Sequence, residues 1–323
     1  MRFLITGGAG FIGSHLCDRL LADGHSVLVL DDLSTGRYEN VAHLEGGPGF
    51  ELRVASVTEP AVVERCVIDT QAVFHLASAV GVRLVVDEPV KTIETIVNGT
   101  DTVLRSCARY RRRVLLTSTS EVYGKSEKIP FSEGDDCVMG PTTTRRWAYA
   151  CAKALDEFLA LAHWYQTRLP VVVVRLFNTV GPRQSGRYGM VIPRLVAQGL
   201  AGEPITVYGD GTQSRCFAHV ADVVAALARL MAHPEAAGEL FNVGNDEEVT
   251  INALAERIRA LTGATGPVKR VPYSEAYATG FEDMSRRVPD LSKVRRLIGY
   301  APKHDLDRIL ADVVADQSKR RPY

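Results

Sequence analysis

Two residues whose side chains can exchange a proton stand four apart in the chain, Tyr149 and Lys153. Their segment, Arg145–Thr167, has a helical pattern, and side chains four apart lie on one face of a helix. An ammonium group beside a phenol favours the phenolate, so we expect the pKa of Tyr149 to fall from its usual value of about 10. A tyrosine tuned in this way suits proton transfer near neutral pH while a cofactor takes a hydride. Because this spacing is common by chance, it needs support from other parts of the chain.

Polar side chains also follow a predicted strand upstream of this pair. The apolar run Val114–Ser118 indicates a buried strand, and Thr119, Ser120 and Glu121 come directly after it. Ligands bind outside the carboxyl ends of the strands in an open parallel sheet. A hydroxyl at this edge can hydrogen-bond a substrate oxygen opposite Tyr149, although such clusters also cap turns.

The N-terminal segment combines a short apolar strand, a glycine-rich turn and the start of a helix. The turn has the spacing G-x-x-G-x-x-G, with Gly7, Gly10 and Gly13. Glycines let the backbone approach a pyrophosphate, and a helix N-terminus offers N–H groups and the positive end of its dipole. The segment therefore predicts a dinucleotide site, with a structural glycine turn as the alternative.

Two carboxylates end the second predicted strand, which runs from His25 to Asp32. An acid about 20 residues after the glycines is placed to bind the 2′-hydroxyl of an adenosine ribose. Asp31 or Asp32 would repel a 2′-phosphate, which favours NAD over NADP. Arg37 lies close enough in the chain to keep NADP as an alternative.

Strand and helix patterns alternate along the first half of the chain. This alternation predicts an α/β fold with a doubly wound parallel Rossmann sheet and a smaller mixed α/β substrate domain. Further strands are expected at Ala72–Leu76, Val114–Ser118 and Val171–Phe177, and helices at Val90–Tyr110 and Arg145–Thr167.

The regular alternation of strand and helix patterns ends after residue 177. Loop-like segments occur at 181–189 and 280–289, and Thr250–Thr262 has the pattern of an amphipathic helix. A helix within Cys216–Met231 and a strand at Glu239–Gly244 are expected to return to the sheet. We therefore predict a nucleotide-binding domain over residues 1–177, with 216–244 returning to it, and a substrate domain over residues 178–323.

Composition narrows the classes of function. The 323 residues are 46% apolar and carry 38 basic and 38 acidic side chains, so nothing in the charge suggests a nucleic acid or an anionic membrane. The six cysteines form no C-x-x-C pair and are expected to be free thiols in a reducing compartment. The eight histidines show no metal-ligand spacing, and we expect no bound metal. With neither a signal-peptide pattern nor an apolar run of membrane-spanning length, a cytoplasmic location is expected.

Taken together, these motifs resemble those of the extended short-chain dehydrogenase/reductases that act on nucleotide sugars. The resemblance covers nearly the whole chain and implies a Rossmann fold, NAD as cofactor and a nucleotide-sugar substrate held by residues 178–323. It rests on TGGAGFIGSHL, FHLAS, Asn98 in TIVNGT, STSEVYG, YACAK, RLFNTVGPR, YGDGTQSRCF and RRVPD.

The resemblance also assigns roles to individual residues. Thr119, Tyr149 and Lys153 match the catalytic triad of the family, and Lys153 would in addition hold the nicotinamide ribose. Relatives often carry Gly-Asp-Val or Gly-Asp-Ile after strand three, whereas this chain has Ala55-Ser56-Val57, so the adenine contact is weaker or made by backbone. The implied cofactor-binding residues are Gly7, Gly10, Phe11, Ile12, Gly13, Asp31, Asp32, Ser56, Val57, Leu76, Ala77, Ser78, Asn98, Tyr149 and Lys153, and the implied substrate-binding residues are Asn178, Val191, Arg215 and Arg287.

Members of this family share oxidation of the sugar at C4 and differ in the later steps of the reaction. The Asp of the dehydratase acid/base pair is replaced here by Ser120, and epimerases usually carry small or hydroxyl residues where this chain has Glu121. Thr119-Ser120-Glu121 resembles UDP-xylose synthases and the decarboxylase half of the bacterial enzyme that opens the aminoarabinose pathway. The segment around Arg287 also resembles the latter, and a guanidinium binds a carboxylate at two points.

We therefore expect an NAD-dependent decarboxylase of UDP-glucuronate, in which Ser120, Glu121 and Arg287 join the catalytic triad. The product is UDP-xylose, UDP-4-keto-pentose or both. A UDP-sugar 4-epimerase is the alternative, followed by a 4,6-dehydratase and by a redox sensor that binds NAD without turnover.

The two long helical segments carry apolar residues on more than one face. Leu155, Phe158 and Trp164 exceed what contact with one sheet requires. In resembling enzymes the matching helices pair across a two-fold axis, so we predict a homodimer. A helix buried more deeply within one subunit is the alternative.

Overall fold

The computed structural model describes residues 1–78, 88–186, 190–276, 284 and 286–319. The predicted loops 181–189 and 280–289 therefore lie partly outside the described residues. The strands are β1 (Arg2–Thr6), β2 (Ser26–Asp31), β3 (Phe50–Val54), β4 (Ala72–His75), β5 (Arg113–Thr119), β6 (Val171–Leu176), β7 (Thr179–Val180), β8 (Ile205–Tyr208), β9 (Ser214–Cys216), β10 (Ala218–His219), β11 (Glu239–Val243), β12 (Glu248–Thr250) and β13 (Val268–Val271). The helices are α1 (Phe11–Ala22), α2 (Pro60–Ile68), α3 (Pro89–Tyr110), α4 (Trp147–Thr167), α5 (Val191–Leu200), α6 (Val220–Ala232), α7 (Ile251–Thr262), α8 (Tyr273–Ala276), α9 (Ser292–Ile298) and α10 (Leu306–Lys319).

A seven-stranded sheet forms the centre of the described structure. Its order is β11-β6-β5-β4-β1-β2-β3, and all of its pairings are parallel. The order runs outward from β1 in both directions, as in a doubly wound Rossmann sheet. The fold class predicted from the alternating pattern is therefore confirmed.

Helices cover both faces of this sheet, which explains the run of four consecutive valines in β6. In β6, Val172 and Val174 face the core shared with α1, α6 and α9. The alternate residues Val171 and Val173 face the core shared with α2, α3 and α4. Successive side chains of a strand point to opposite faces, so burial on both sides requires a continuous apolar run.

A third core lies outside the central sheet. Apolar side chains of α5, α7, α10 and β8 pack together there, including Leu195, Leu254 and Ile309. Short strand pairs accompany it: β13 pairs with β8 in parallel, and β12 pairs with β9 antiparallel. The division of the chain into two domains at residue 177 stays a prediction.

The predicted helix within Cys216–Met231 begins later than its apolar pattern suggests. Residues up to Cys216 belong to β9, and Ala218–His219 forms β10 against β7, so the helix α6 starts at Val220. His219 caps it, because its Nδ1 accepts a hydrogen bond from Ala221 N at 3.0 Å. Tertiary strand pairing thus overrides the local helical pattern over four residues.

Candidate active site

A cavity of about 670 Å³ opens at the carboxyl ends of the central strands. This is within the usual size range of small-molecule sites. It brings together the predicted catalytic and substrate residues, namely Thr119, Ser120, Glu121, Tyr149, Lys153, Arg287, Asn178, Val191 and Arg215. Of the remaining cofactor residues it includes Gly7, Gly10, Phe11, Ile12, Gly13, Asp31, Asp32, Val57, Leu76, Ala77 and Ser78.

The glycine turn is packed too closely for side chains. Gly7 has a φ of +71°, and a Cβ on it would lie 2.8 Å from Ala77 N. A Cβ on Gly13 would lie 2.2 Å from Gly7 O. Helix α1 starts at Phe11 with Gly10 at its N-cap and no side-chain cap, so its first N–H groups face the cavity edge without a competing acceptor from the cap. The turn fits a pyrophosphate.

Asp31 is buried at the end of β2, and both of its oxygens accept backbone hydrogen bonds. Oδ2 accepts from Ala9 N and Oδ1 from Leu33 N, each at 2.9 Å. Burial raises the pKa of this carboxyl, while the backbone hydrogen bonds oppose the rise. Each oxygen keeps a lone pair for a ribose hydroxyl. Arg37, the residue that keeps NADP as an alternative, also lines the cavity, and its exposed side chain lies 3.5 Å from the carboxylate of Glu39.

Two predicted cofactor residues do not line the cavity. The Ser56 hydroxyl pairs with that of Thr58 at 2.8 Å. Asn98 is exposed one turn beyond Thr95, which does line the cavity from α3. By contrast, Ser78 Oγ is buried and has no hydrogen-bond partner among the residues that the structure describes. A polar ligand along this wall would satisfy that hydroxyl.

The Thr119 hydroxyl, which is predicted to be catalytic, lies at the end of β5. Thr119 Oγ1 accepts a hydrogen bond from Glu121 N at 3.2 Å and caps the 3-10 turn Ser120–Tyr123. Helix α4 presents Tyr149 to the same cavity, close enough for the Thr119 hydroxyl to lower the pKa of its phenol. Thr119 and Tyr149 can therefore contact a single substrate oxygen together.

The predicted lowering of the Tyr149 pKa is wrong for this arrangement. Burial raises the pKa, and the negative charges of Glu121 and Asp156 raise it further, while the Thr119 hydrogen bond opposes them. Lys153 Nζ donates to Asp156 Oδ2 at 2.9 Å, and both side chains are buried. The lysine charge is thus compensated by an acid that the four-residue spacing does not reveal.

Two buried arginines hold the carboxylate of Glu121. Arg287 Nη1 lies 3.1 Å from Glu121 Oε1, and Arg146 Nη2 lies 3.6 Å from the same oxygen. The trio carries a formal charge of one positive unit, which suits an anionic substituent on a ligand. Arg146 was not predicted as a site residue, although it precedes Tyr149 by three residues on the same helical face.

The far side of the cavity contains the residues assigned to the substrate. Asn178 Nδ2 donates to Cys216 O at 3.1 Å, and Arg215 Nη1 donates to Ser214 O at 2.7 Å. Val191 is the first residue of α5. Sequence reasoning missed the aromatic part of this wall, where the Arg194 guanidinium stacks 4.1 Å from the ring centre of Tyr208.

Metal sites and membrane-spanning helices are both absent from the described residues. No group of three or more His, Cys, Asp or Glu side chains in the described ranges is arranged to hold a metal ion. In the same ranges, no helix combines the length and apolar character needed to cross a membrane.

Comparisons with known proteins place this arrangement in a family. The UDP-N-acetyl-alpha-D-glucosaminuronate decarboxylase of Bacillus cytotoxicus is 38% identical over 314 residues, covering 97% of this chain and 96% of the relative. The UDP-glucuronic acid decarboxylase 1 of Xenopus tropicalis is 40% identical over 304 residues, covering 93% of this chain and 68% of the relative. The solved UDP-glucuronic acid 4-epimerase from Bacillus cereus, in complex with UDP-glucuronic acid and NAD, superposes with a TM-score of 0.89 at 25% identity, covering 99% of this chain and 100% of that one. The model of the NAD dependent epimerase/dehydratase family matches residues 3–244, and the chain belongs to this family.

Proposed function

We propose that the protein is an NAD-dependent decarboxylase of UDP-glucuronate. The observation that carries the proposal is the Glu121 carboxylate between the guanidinium groups of Arg146 and Arg287, beside Thr119 and Tyr149. A pair of buried arginines at the reacting end of a cavity suits a substrate that carries a carboxylate there. The decarboxylases among the relatives support the same reaction.

NAD is the proposed cofactor, and the residues of one half of the cavity fit it. Gly7, Gly10 and Gly13 would border the pyrophosphate, and Asp31 would accept hydrogen bonds from the adenosine ribose. Lys153 would hold the nicotinamide ribose. When bound, the oxidised nicotinamide accepts the hydride that leaves C4 of the sugar.

Side chains of the protein itself transfer the protons of the reaction. Tyr149 takes the proton of the C4 hydroxyl while Thr119 hydrogen-bonds the same oxygen, and the resulting C4 ketone makes the C6 carboxylate part of a β-keto acid. Breaking the C5–C6 bond releases CO₂ and leaves its electron pair in an enolate, which Tyr149 and Thr119 stabilise by hydrogen bonds. Arg287 would orient the carboxylate before it leaves, and Glu121, with Ser120 beside it, would return a proton to C5 after taking it up itself.

One assay tests this proposal. Purified protein is mixed with NAD and UDP-glucuronate, and released CO₂, absorbance of NADH and the sugar products are followed together. We expect one CO₂ per sugar consumed, with UDP-xylose where C4 is reduced again and UDP-4-keto-pentose with NADH where the ketone escapes. Appearance of UDP-galacturonate without CO₂ would instead identify a 4-epimerase.

A second candidate substrate is the N-acetylated analogue of UDP-glucuronate. The Bacillus cytotoxicus relative is named for decarboxylation of UDP-N-acetylglucosaminuronate and covers nearly the whole chain. The chemistry at C4, C5 and C6 is the same, so the choice depends on space at C2. Measuring kcat/KM for both nucleotide sugars in one preparation decides between them.

We also propose that two copies of the chain form a homodimer through α3 and α4. These helices pack on each other and leave a row of apolar side chains in solvent: Leu155, Phe158 and Tyr165 on α4, with Val90 and Ile93 on α3. Phe158 is 73% exposed, which is unusual for a large apolar side chain in the middle of a helix. A second copy related by a two-fold axis would cover the same patch on both subunits.

A further inference from the structure

A buried row of polar side chains runs from the catalytic lysine to the glycine turn. Lys153 Nζ contacts Asp156, whose carboxylate faces the hydroxyl of Thr100 on α3. Thr100 Oγ1 lies 3.1 Å from His75 Nε2, and His75 Nδ1 lies 2.7 Å from Thr6 Oγ1. None of these side chains belongs to the reacting residues except Lys153.

One assignment of donors and acceptors along this row leads from Thr6 towards Thr100. Ala77 N donates to Thr6 Oγ1 at 3.3 Å, and the Thr6 hydroxyl can in turn donate to His75 Nδ1 at 2.7 Å. The neutral ring then carries its proton on Nε2 and donates to Thr100, whose own hydroxyl points to Asp156. Burial lowers the pKa of His75 to about 3, which keeps the ring neutral. The row ends at Asp156, where Oδ2 accepts from Lys153 and Oδ1 is buried without a hydrogen-bond partner among the described residues. Burial raises the pKa of this carboxyl, while Lys153 and the Thr100 hydroxyl oppose the rise.

Asp156 is fully buried, so solvent screens the interactions of its charge with nearby groups only weakly. The charges that face it are Lys153, at 2.9 Å, and Glu157, whose own carboxylate is paired with Arg175 at 2.7 Å. The acids whose negative charges raise the pKa of Tyr149 are Glu121 and Asp156. Asp156 is thus the acid that both holds the lysine and raises the pKa of the phenol.

We propose that Asp156 is a positioning residue for catalysis, which fixes the Lys153 ammonium at the wall of the cavity that Tyr149 also lines. The inference rests on the proposed role of Tyr149 and Lys153 in oxidation at C4, and not on which nucleotide sugar is the substrate. The acid keeps the buried ammonium in one place and compensates its charge. Release of a proton from Tyr149 is consequently set by Asp156 as well as by Lys153.

The test is the pH profile of kcat for Asp156→Asn. Removing a negative charge lowers the pKa of every neighbouring group, so the profile should move to lower pH by about one unit. We expect kcat to fall about tenfold near neutral pH while KM for the nucleotide sugar changes less than about twofold. Asp156→Glu restores the charge and should return the profile towards that of the wild type. Asp101→Asn, which removes an acid paired with Arg105 at 2.6 Å on the outside of α3, is the matched control and should leave the profile in place.

A folded Asp156→Asn protein whose profile coincides with the wild type would overturn the proposal, whatever its amplitude. If that variant does not fold, Thr100→Val removes the hydroxyl that favours the ionised acid and keeps all charges. It should shift the profile in the same direction by a smaller amount, and an unshifted profile again contradicts the proposal. The profile is measured with whichever nucleotide sugar reduces NAD, so a wrong assignment of substrate is detected separately.

Discussion

The phenol of Tyr149 lies where one hydroxyl and two acids compete for its proton. Thr119 stabilises the phenolate, whereas burial, Glu121 and Asp156 stabilise the phenol. Tyr149 must lose this proton before it can take the proton of the C4 hydroxyl, and a positive charge near the phenolate favours that loss. The balance among these neighbours, rather than the tyrosine alone, sets the rate of the first step.

Tyr149→Phe removes only the hydroxyl and should abolish most turnover. Because loss of a positioned acid/base costs 10² to 10⁴ in rate, we expect kcat to fall about 10³-fold, measured as CO₂ release from UDP-glucuronate. Tyr165→Phe, on the exposed face of the same helix, is the control and should behave as the wild type. Undiminished conversion by Tyr149→Phe would rule out the proposed mechanism.

Arg287→Ala should reduce action on a uronate and spare binding of a neutral sugar. The guanidinium lies 3.1 Å from Glu121 and is placed to hold the leaving carboxylate, so we expect kcat/KM for UDP-glucuronate to fall about 10²-fold. Affinity for UDP-glucose, measured by calorimetry in the presence of NAD, should change less than about threefold. Arg286→Ala is the adjacent control, since Arg286 is exposed and pairs with Glu248. Equal losses for both sugars would assign Arg287 to the nucleotide instead.

Site residues could be predicted from the sequence where a single short motif contains them. Tyr149, Lys153 and the three glycines follow from local spacing, whereas Thr119 was singled out among its neighbouring hydroxyls by the family resemblance. Asp156 and Arg146 were not identified as site residues. Their importance arises from charges that the fold brings to them, which no local pattern encodes. Asn98 does not line the cavity because it lies one helical turn beyond Thr95, whereas Ser56 follows β3 and pairs its hydroxyl with that of Thr58.

At the scale of elements, one buried ion pair fastens the catalytic helix to the sheet. Glu157 of α4 binds Arg175 of β6 at 2.7 Å and also accepts a hydrogen bond from Ser118 of β5. The Arg175 guanidinium lies 4.6 Å from the ring centre of Tyr123. These contacts hold α4 against the strands that end at the site.

Glu157→Ala should therefore be strongly destabilising. The change leaves the buried Arg175 charge without its partner, and breaking a buried pair in this way costs about 3 to 5 kcal/mol. Urea denaturation measures the free energy of unfolding. Glu64→Ala, which breaks the partly exposed pair with Arg109, should cost less than about 1 kcal/mol. A loss for Glu157→Ala no larger than this control would mean that the pair does not hold α4 in place.

The course of the sheet strands and long helices was predictable from periodicity, but several boundaries were not. The helix predicted from Arg145 begins at Trp147, and the one predicted from Cys216 begins at Val220. In the second case the difference comes from strand pairing with residues far away in the chain. Apolar periodicity reports burial, and burial alone does not distinguish a short bridging strand from the first turn of a helix.

At the scale of the whole molecule, the exposed row on α3 and α4 predicts how the chain associates. Phe158→Asp places a charge at the centre of the proposed two-fold interface, so we expect the dimer to dissociate to monomers at micromolar concentration, measured by light scattering. Leu261→Asp introduces the same charge at an exposed leucine of α7 and should leave the mass unchanged. A wild-type protein of monomer mass would contradict the proposed interface directly.

The buried histidine of the polar row should also set how the whole fold responds to acid. His75 is 2% exposed, and burial followed by the charge of Lys153 lowers its pKa to about 3 in the folded protein. In the unfolded chain its pKa returns to about 6.5, so below that pH the unfolded state binds a proton that the folded state refuses. Stability from this group is fully present above about pH 6.5 and is lost as the pH falls towards 3. Between pH 7.5 and 5.0 the loss amounts to about 2 kcal/mol, measurable by urea denaturation at the two pH values. His75→Gln, which does not titrate, lowers stability at both pH values but should reduce the difference between them by about this amount. If the variant loses as much stability as the wild type over that interval, the titration of His75 does not govern the acid response of the fold.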